Sequence, residues 1–539
     1  MDKINFKSRA IYSCVVLIPL FVFIIAHYTI NTKVTGLLPT GFFNGEAPYY
    51  MANARQYLDH GFDSLFYGNP FSYLEEPQRV YFQFQTYLLG ILIKLFPGSI
   101  NCIWVSFGVV FAFLFMLQTT KVLSLLGVSK NYLFLVLILF AWGGGIQGVT
   151  GFSSEYLNSF NFIEAIKALE KFEIADGWWM QSIGRNFLMP NYIYYHFLVM
   201  TGIIFIIQKM NKSLLSLCFI LSFSHPFVGA QFIFALVVWS IFERYYLCSR
   251  ESKYFSCIGL IILLAIHVLY YFKFLAISSE HVAQEAQWSV TYESLYKNWA
   301  MRAINFIPSY ILAFSLFFYQ VRSPELFLRF FRNHVNRFLV VFGIVNFILA
   351  NHEFAIKPIQ PIHFTHGMVW FPFVLLGRDT LVKILKIIRT GSGLKRFGSI
   401  VLMFVFLIDN GLWMAKRTYQ THMGKSQTEL PLKIDHQKIV DYVIKKLHGN
   451  YLFFVEDTVF VFHLAVYSKA RVFVSHNIIT PHSRERKHIQ TSMLSTGVIP
   501  KEVSDEKFFF IIRSKPVRDK IIGESIFETN SYQIYKYQN

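Results

Sequence analysis

The chain has 539 residues, of which 54% are hydrophobic, 18% aromatic and only 15% charged, with a mean hydropathy of +0.41. A chain of this length and apolarity excludes one or several water-soluble domains and points to a polytopic membrane protein. The formal charge of +18 does not point to nucleic acid, because Lys and Arg fall in short clusters between apolar runs, a pattern that sets topology and meets anionic lipid.

The first apolar run, 11–30, follows Lys3, Lys7 and Arg9 and ends without a small-x-small cleavage site, so it reads as a retained span rather than a signal peptide. Behind it, loop 31–98 contains Asn44-Gly45-Glu46-Ala47-Pro48-Tyr49-Tyr50-Met51-Ala52-Asn53-Ala54-Arg55, an acidic residue at the start of an amphipathic helix. Further spans are predicted near 99–118, 131–149, 191–208, 255–275, 301–321 and 397–415, with shorter or interrupted ones near 214–229, 230–247, 338–351 and 365–378. Segment 81–96 is apolar but contains Gln83, Gln85 and Lys94, and suits either a span or a helix lying in the interface.

Charge decides between these. If 81–96 lies flat, one face receives Lys121 and Lys130; Lys209 and Lys212; Arg244, Arg250 and Lys253; Arg322, Arg329, Arg332 and Arg337; and the cluster from Arg378 to Arg396. The other face receives 31–98, the acidic loop 150–190 with Glu155, Glu164, Glu170, Glu173 and Asp176, then 276–300 with Glu280, Glu285 and Glu293, and 352–365. Counting 81–96 as a span would export the Arg cluster, against the positive-inside bias. The expectation is therefore about eleven spans, with a cytoplasmic amino terminus and an extracytoplasmic carboxyl terminus, in keeping with a bacterial inner membrane.

After Ala415 the spans stop, dividing the chain into a transmembrane domain, 1–415, and an extracytoplasmic α/β domain, 416–539. Helical periodicity is predicted over 434–447 and near 458–468, and strands at 451–455, 471–475, 508–512 and 532–537. Cys14, Cys102, Cys218, Cys248 and Cys257 lie in or beside apolar runs without metal spacing and read as small buried hydrophobes.

Four polar groups share the outer face in this topology: Glu46 and Arg55 with the run from Glu75 to Arg79; Glu155; Arg185 and Asn186 with Ser224-His225-Pro226; and Asn351-His352-Glu353, Lys357, His363 and His366. Charged and imidazole groups at membrane depth need partners or a hydrated cavity. A cavity of carboxylates, arginines and histidines suits a phosphate-bearing substrate, since Arg grips phosphate through paired hydrogen bonds and a carboxylate can take a proton or hold a divalent metal. Each residue also has a plainer reading. Glu46 suits a helix amino terminus on charge alone, Arg79 a snorkelling anchor, and His225 the cap of a broken helix. Glu75-Glu76 suits a solvated pair and 482–488 an exposed helix face, while His363 and His366 lack a defined third metal ligand.

Two motifs carry a family resemblance. Gly45-Glu46-Ala47-Pro48-Tyr49-Tyr50-Met51-Ala52-Asn53-Ala54-Arg55 behind a first span, then Arg79-Val80-Tyr81-Phe82-Gln83-Phe84-Gln85-Thr86-Tyr87-Leu88-Leu89-Gly90 before the second, resemble the opening of the polyprenyl-linked membrane glycosyltransferases of the GT-C fold. The similar members are the protein O-mannosyltransferases and aminoarabinose transferases. The chain departs from their pattern at Gly45-Glu46, where Asp-Glu or a lone Asp is common, and at Gln78-Arg79-Val80, where Lys-Pro-Pro often begins the interfacial helix. The resemblance implies Glu46 as catalytic carboxylate with Tyr49 and Tyr50 beside it, Arg55 on the helix beneath, Glu155 as the second acidic position and Arg79 near the lipid phosphate. Arg185, His225, His363 and His366 would complete substrate binding. It further implies inverting transfer of a sugar from a polyprenyl-phosphate carrier. The alternative is a transporter or flippase, but the chain lacks the internal repeat common among transporters.

Overall fold

Apolar runs long enough to cross a bilayer fold as helices, because a helix satisfies its own backbone hydrogen bonds where water cannot. The computed structural model describes residues 5–538 other than 31, 172–182, 246–256, 297–298, 353–354, 357–360, 427–428, 448, 476–478, 499–500, 504–505, 507 and 516–522. Lys3, Glu173, Asp176, Cys248, Arg250, Lys253, Glu353 and Lys357 lie outside the described residues. Among the described residues five helices are long and apolar enough to span a membrane: Ile100–Leu125, Pro190–Ile207, Pro226–Arg244, Cys257–Ile277 and Gly393–His422. Two bent pairs raise the number to seven if each is one span. The chain is thus a helical, multi-pass membrane protein, and among the described residues shorter apolar helices such as Lys130–Trp142 and Asn211–Ser222 accompany the long ones.

Local chemistry accounts for where two of the apolar runs bend or end. The first span bends by 49° between Phe6–Val16 and Ile18–Tyr28, beside Pro19, which has no N–H for the helical ladder. The run expected over 131–149 ends at Trp142 because Gly143-Gly144-Gly145 follows, and consecutive glycines disfavour helix by about 1 kcal/mol each. The Gly144 N–H instead donates to the Phe406 carbonyl at 2.7 Å. Its absent side chain matters, since a Cβ there would stand 3.1 Å from that of Asp409. The stretch expected as an acidic loop after 150 contains the helices Gln147–Ser159 and Phe162–Lys171.

By packing, the chain forms two units: Met1–Ala26, Phe107–Val268 and Tyr296–Gln420; and His27–Ser106, Leu269–Leu295 and Thr421–Asn539. In the first, Phe232 is fully buried with Phe338 and Phe342 edge-on to it, ring centroids 6.0 and 5.5 Å away. Where lipid is as apolar as a neighbouring helix, such contacts hold helices together by dispersion and shape more than by the hydrophobic effect. A buried bidentate ion pair joins Arg337 to Glu243, with Nη2 to Oε2 at 2.8 Å. It satisfies two charges at the helix break after Phe331, the bend of 99° between Pro324–Phe331 and His334–Ala350.

In the second unit a short antiparallel pair, β1 (Leu37–Leu38) and β2 (Leu432–Lys433), ties the first loop to the carboxyl-terminal segment. A five-stranded mixed sheet follows from β3 (Leu452–Val455), β4 (Arg471–Val472), β5 (Phe508–Ser514), β6 (Glu524–Glu528) and β7 (Tyr532–Gln538), in the order β4-β3-β5-β7-β6. β4, β3 and β5 are parallel, and β7 and β6 are antiparallel to their neighbours. β3 is buried throughout and β5 at five of its seven residues, hence their continuous apolar sequence. The helices Ala47–His60 and Phe84–Leu95 meet at Gly90, where a Cβ would stand 3.0 Å from the Tyr57 ring and 3.1 Å from the Ala54 carbonyl.

Candidate active site

The motif around Glu46 folds as its residue types dictate. Asn44 is buried, and its side-chain oxygen accepts from the N–H groups of Glu46 and Ala47, both at 3.0 Å. Two amides that have no helical partner at a helix start are thereby satisfied. Pro48 follows in the first turn, where its missing N–H costs nothing. Glu46 is half-buried at the head of this helix. Tyr49 sits edge-on to Tyr50 at 5.3 Å and stacks on Phe71 at 6.3 Å, while buried Tyr50 stacks on Trp104 at 5.9 Å. Burial pushes the Tyr49 phenol above its usual range, and the Glu46 charge adds to it. Tyr49 is therefore a neutral hydrogen-bonding phenol beside a carboxylate.

Arg55 lies farther along the same helix, about 13 Å of rise from Glu46. Its Nε donates to Asp59 at 3.2 Å and its Nη1 to the Val466 carbonyl at 3.4 Å, so this guanidinium links the first loop to the helix Thr458–Tyr467. Arg79 is exposed. Its charge, after burial, holds the His60 imidazole below its usual value.

In the first unit the structure gathers His225, His363 and His366 from two distant segments. The His225 ring caps the helix Pro226–Tyr245, its Nδ1 accepting from the Val228 N–H at 3.3 Å, and packs 4.7 Å from Tyr195. His366 lies 4.1 Å from the Tyr192 ring and edge-on to His225 at 6.3 Å, and His363 lies 5.6 Å from His366 while stacking on Phe227 at 4.8 Å. Gln231 donates to the Phe364 carbonyl at 2.6 Å and Asn346 to that of Met368 at 2.8 Å, pinning the segment that carries both histidines. Imidazoles packed on aromatic rings can donate and accept at close range. Among the described residues no three His, Cys, Asp or Glu are grouped to hold a metal ion.

Arg185 belongs to a second cluster of that unit. It is buried, its Nε donates to Asn410 Oδ1 at 3.2 Å, and its guanidinium lies 5.2 Å from the Trp413 ring. Asn410 in turn donates to the carbonyls of Trp142 and Gly143, and Asp409 accepts from the Gly148 N–H at 2.6 Å. That N–H opens the helix that carries half-buried Glu155. Asp409 and Asn410, both buried, escaped the sequence reading although a carboxylate inside an otherwise apolar span was the available signal. Glu46 and Glu155 belong to different units.

No protein-family model and no curated protein matches this sequence. Among solved structures the chain is similar to the archaeal oligosaccharyltransferase AglB from Archaeoglobus fulgidus, in complex with an inhibitory peptide and a dolichol-phosphate, at 12% identity over 92% of this chain and 69% of that one, with a TM-score of 0.39. It is also similar to ArnT from Cupriavidus metallidurans bound to undecaprenyl phosphate, at 9% identity over 97% of each chain, with a TM-score of 0.45. Scores below 0.5 do not fix a fold, and the chemistry rests on the chain's own residues.

Those residues separate by environment. Glu46 is a half-buried carboxylate with its backbone N–H held by Asn44 and Tyr49 close enough to feel its charge. Arg185 and the three histidines are cationic or amphoteric groups held in aromatic surroundings, a chemistry suited to phosphate and hydroxyl oxygens.

Proposed function

We propose that the protein is a membrane glycosyltransferase that moves a sugar from a polyprenyl-phosphate carrier to an acceptor hydroxyl on the extracytoplasmic face. The reading is carried by one observation: Glu46 heads an amphipathic helix just after the first span, half-buried, with its backbone locked by Asn44. In this reading the Glu46 carboxylate takes the proton of the acceptor hydroxyl as that oxygen attacks the anomeric carbon. The bond from that carbon to the phosphate oxygen breaks, and the polyprenyl phosphate leaves with the electron pair. Attack opposite to the leaving group inverts the anomeric centre.

Arg79 is assigned to the leaving phosphate, where a guanidinium offsets the developing charge. In their own unit, Arg185, His225, His363 and His366 are assigned to substrate binding, and Glu155 to a second acidic role. The helix Phe84–Leu95 is assigned to the bilayer interface, the amino terminus to the cytoplasm and the carboxyl-terminal domain to the outside, in a bacterial inner membrane. The test is Glu46→Gln in purified, reconstituted protein supplied with radiolabelled polyprenyl-phosphate sugars and a crude envelope extract. Loss of labelled product with unchanged expression supports the assignment, and wild-type product formation removes Glu46 from the mechanism.

A further inference from the structure

In the first unit the helix Pro324–Phe331 turns 99° away from the apolar helix His334–Ala350 that follows it. When the second crosses the bilayer, the first lies along its surface. The corner is fixed by its own hydrogen bonds. Asn333 caps the second helix by accepting from the Val335 N–H at 2.9 Å, and Asn336 donates to the Phe330 carbonyl at 3.1 Å. Arg337, held by Glu243, donates from Nη1 to the carbonyls of Phe331 and Arg332 at 2.6 and 3.0 Å. Carbonyls at a helix end that lack helical partners are thereby satisfied. Arg378 joins the same corner, donating to the Leu126 carbonyl at 3.1 Å and to Asn336 at 3.3 Å.

Side chains about 100° apart divide the short helix into three stripes. Leu326 and Phe330 share the stripe toward the protein, where buried Phe330 lies 5.9 Å from the Phe317 ring. Phe327, Leu328 and Phe331 form a second apolar stripe that protein does not cover, with Phe327 46% and Leu328 61% exposed. Glu325, Arg329 and Arg332 form the third, all exposed. Just ahead of the helix, exposed Arg322 lies 4.0 Å from the ring of exposed Tyr319, a cationic tip over an apolar body. The partner of this face must therefore offer hydrocarbon and negative charge side by side, because three arginines outweigh one glutamate. A phospholipid interface does so: acyl chains take the rings and phosphates take the guanidiniums.

We infer that the helix Pro324–Phe331 is a docking element for anionic phospholipid, with Phe327 and Leu328 entering the acyl boundary and Arg322, Arg329 and Arg332 binding headgroup phosphates. The inference rests on the orientation proposed above only for the leaflet, which that orientation makes the cytoplasmic one.

The test is photocrosslinking of the full-length protein in nanodiscs of equimolar phosphatidylglycerol and phosphatidylcholine, with Leu328 replaced by benzoylphenylalanine and the adducts identified by mass. Phosphatidylglycerol adducts should exceed phosphatidylcholine adducts at least threefold. Each arginine near an anionic surface strengthens binding about fivefold, so Arg329→Gln combined with Arg332→Gln should bring the two lipids to equal yield. Glu325→Gln should raise the preference and keeps the test open if the double variant fails to fold. Equal yields from the two lipids in the otherwise unchanged protein, or a preference that neither variant moves, overturns the inference. So does a crosslink to a second copy of the chain in place of lipid. The leaflet is read separately, by an impermeant maleimide added to sealed spheroplasts. Labelling of Arg322→Cys above the wild-type level would overturn the proposed orientation while leaving the lipid preference standing.

Discussion

His27 Nδ1 lies 2.8 Å from Glu429 Oε2 across a sequence separation of 402 residues, both side chains almost fully buried. The imidazole Nε2 accepts from the Gly41 N–H at 2.9 Å, which leaves the proton on Nδ1, facing the carboxylate. Glu429 also accepts a short hydrogen bond from the Thr421 hydroxyl. With the β1–β2 pairing, this network fastens the first loop to the start of the carboxyl-terminal segment.

Removing one partner leaves the other buried without its bond. His27→Ala and Glu429→Gln should each lower stability by about 1.5–3 kcal/mol, and the double substitution should cost less than their sum. Thermal unfolding of detergent-purified protein reads both outcomes.

Glu46→Gln preserves shape and removes the base. Transfer should fall by about 10²–10⁴-fold with the melting temperature within a degree of wild type, since the Asn44 bonds go to backbone N–H groups that the substitution keeps. Asn44→Ala should lower both activity and stability, the latter by about 1 kcal/mol.

The basic stretch 482–488, expected as an exposed helix face, is divided. Arg484 and Lys487 are exposed on the helix Ser483–Thr496, but Arg486 is buried, 4.4 Å from the Tyr73 ring and 3.5 Å from Glu280, which also accepts from the Ser72 hydroxyl at 2.7 Å. Arg486→Ala should therefore destabilise the protein by about 3–5 kcal/mol through the carboxylate left behind, while Lys487→Ala should be neutral. Chemical denaturation of the two variants separates these outcomes.

Acid should loosen the second unit through Asp457. Burial works to raise this carboxyl, but the His436 ring at 3.4 Å, the Tyr532 hydroxyl at 2.8 Å and the Phe460 N–H outweigh it and hold it well below the usual carboxylate range. A depressed folded-state pKa stabilises above the unfolded value, about 3.9, and the contribution is lost as pH falls from there through the folded value. Asp457→Asn keeps a helix-capping side chain but removes the charge. It should be less stable than wild type at pH 7, and the difference should shrink below about pH 4. Unfolding midpoints at pH 7, 5 and 3 check the sign.

Much of the secondary structure was legible because its signals are local. The helix expected over 434–447 forms as Ile434–Lys446, that near 458–468 as Thr458–Tyr467, and the strand at 508–512 forms within β5. β6 was not, since Glu524–Glu528 is an edge strand with little apolar content and its two Glu and Ser side chains offer no buried alternation. The candidate site was legible as residue types but not as partnerships. The sequence put Arg55 on the helix beneath Glu46 without showing its partners, which the fold supplies as Asp59 and Val466; it also passed over Asp409 and Asn410, which engage Gly148 and Arg185.

By itself the sequence determined that the chain crosses a membrane several times, that a carboxylate stands behind the first span at a helix start, and where most elements begin and end. These follow from hydropathy and periodicity, which a window of some twenty residues contains. Only the tertiary structure decided that His225 meets His363 and His366, that His27 meets Glu429, and that residues 27–106, 269–295 and 421–539 pack as one unit. Such choices rest on which buried polar atoms find partners through space, and spacing along the chain carries no record of that.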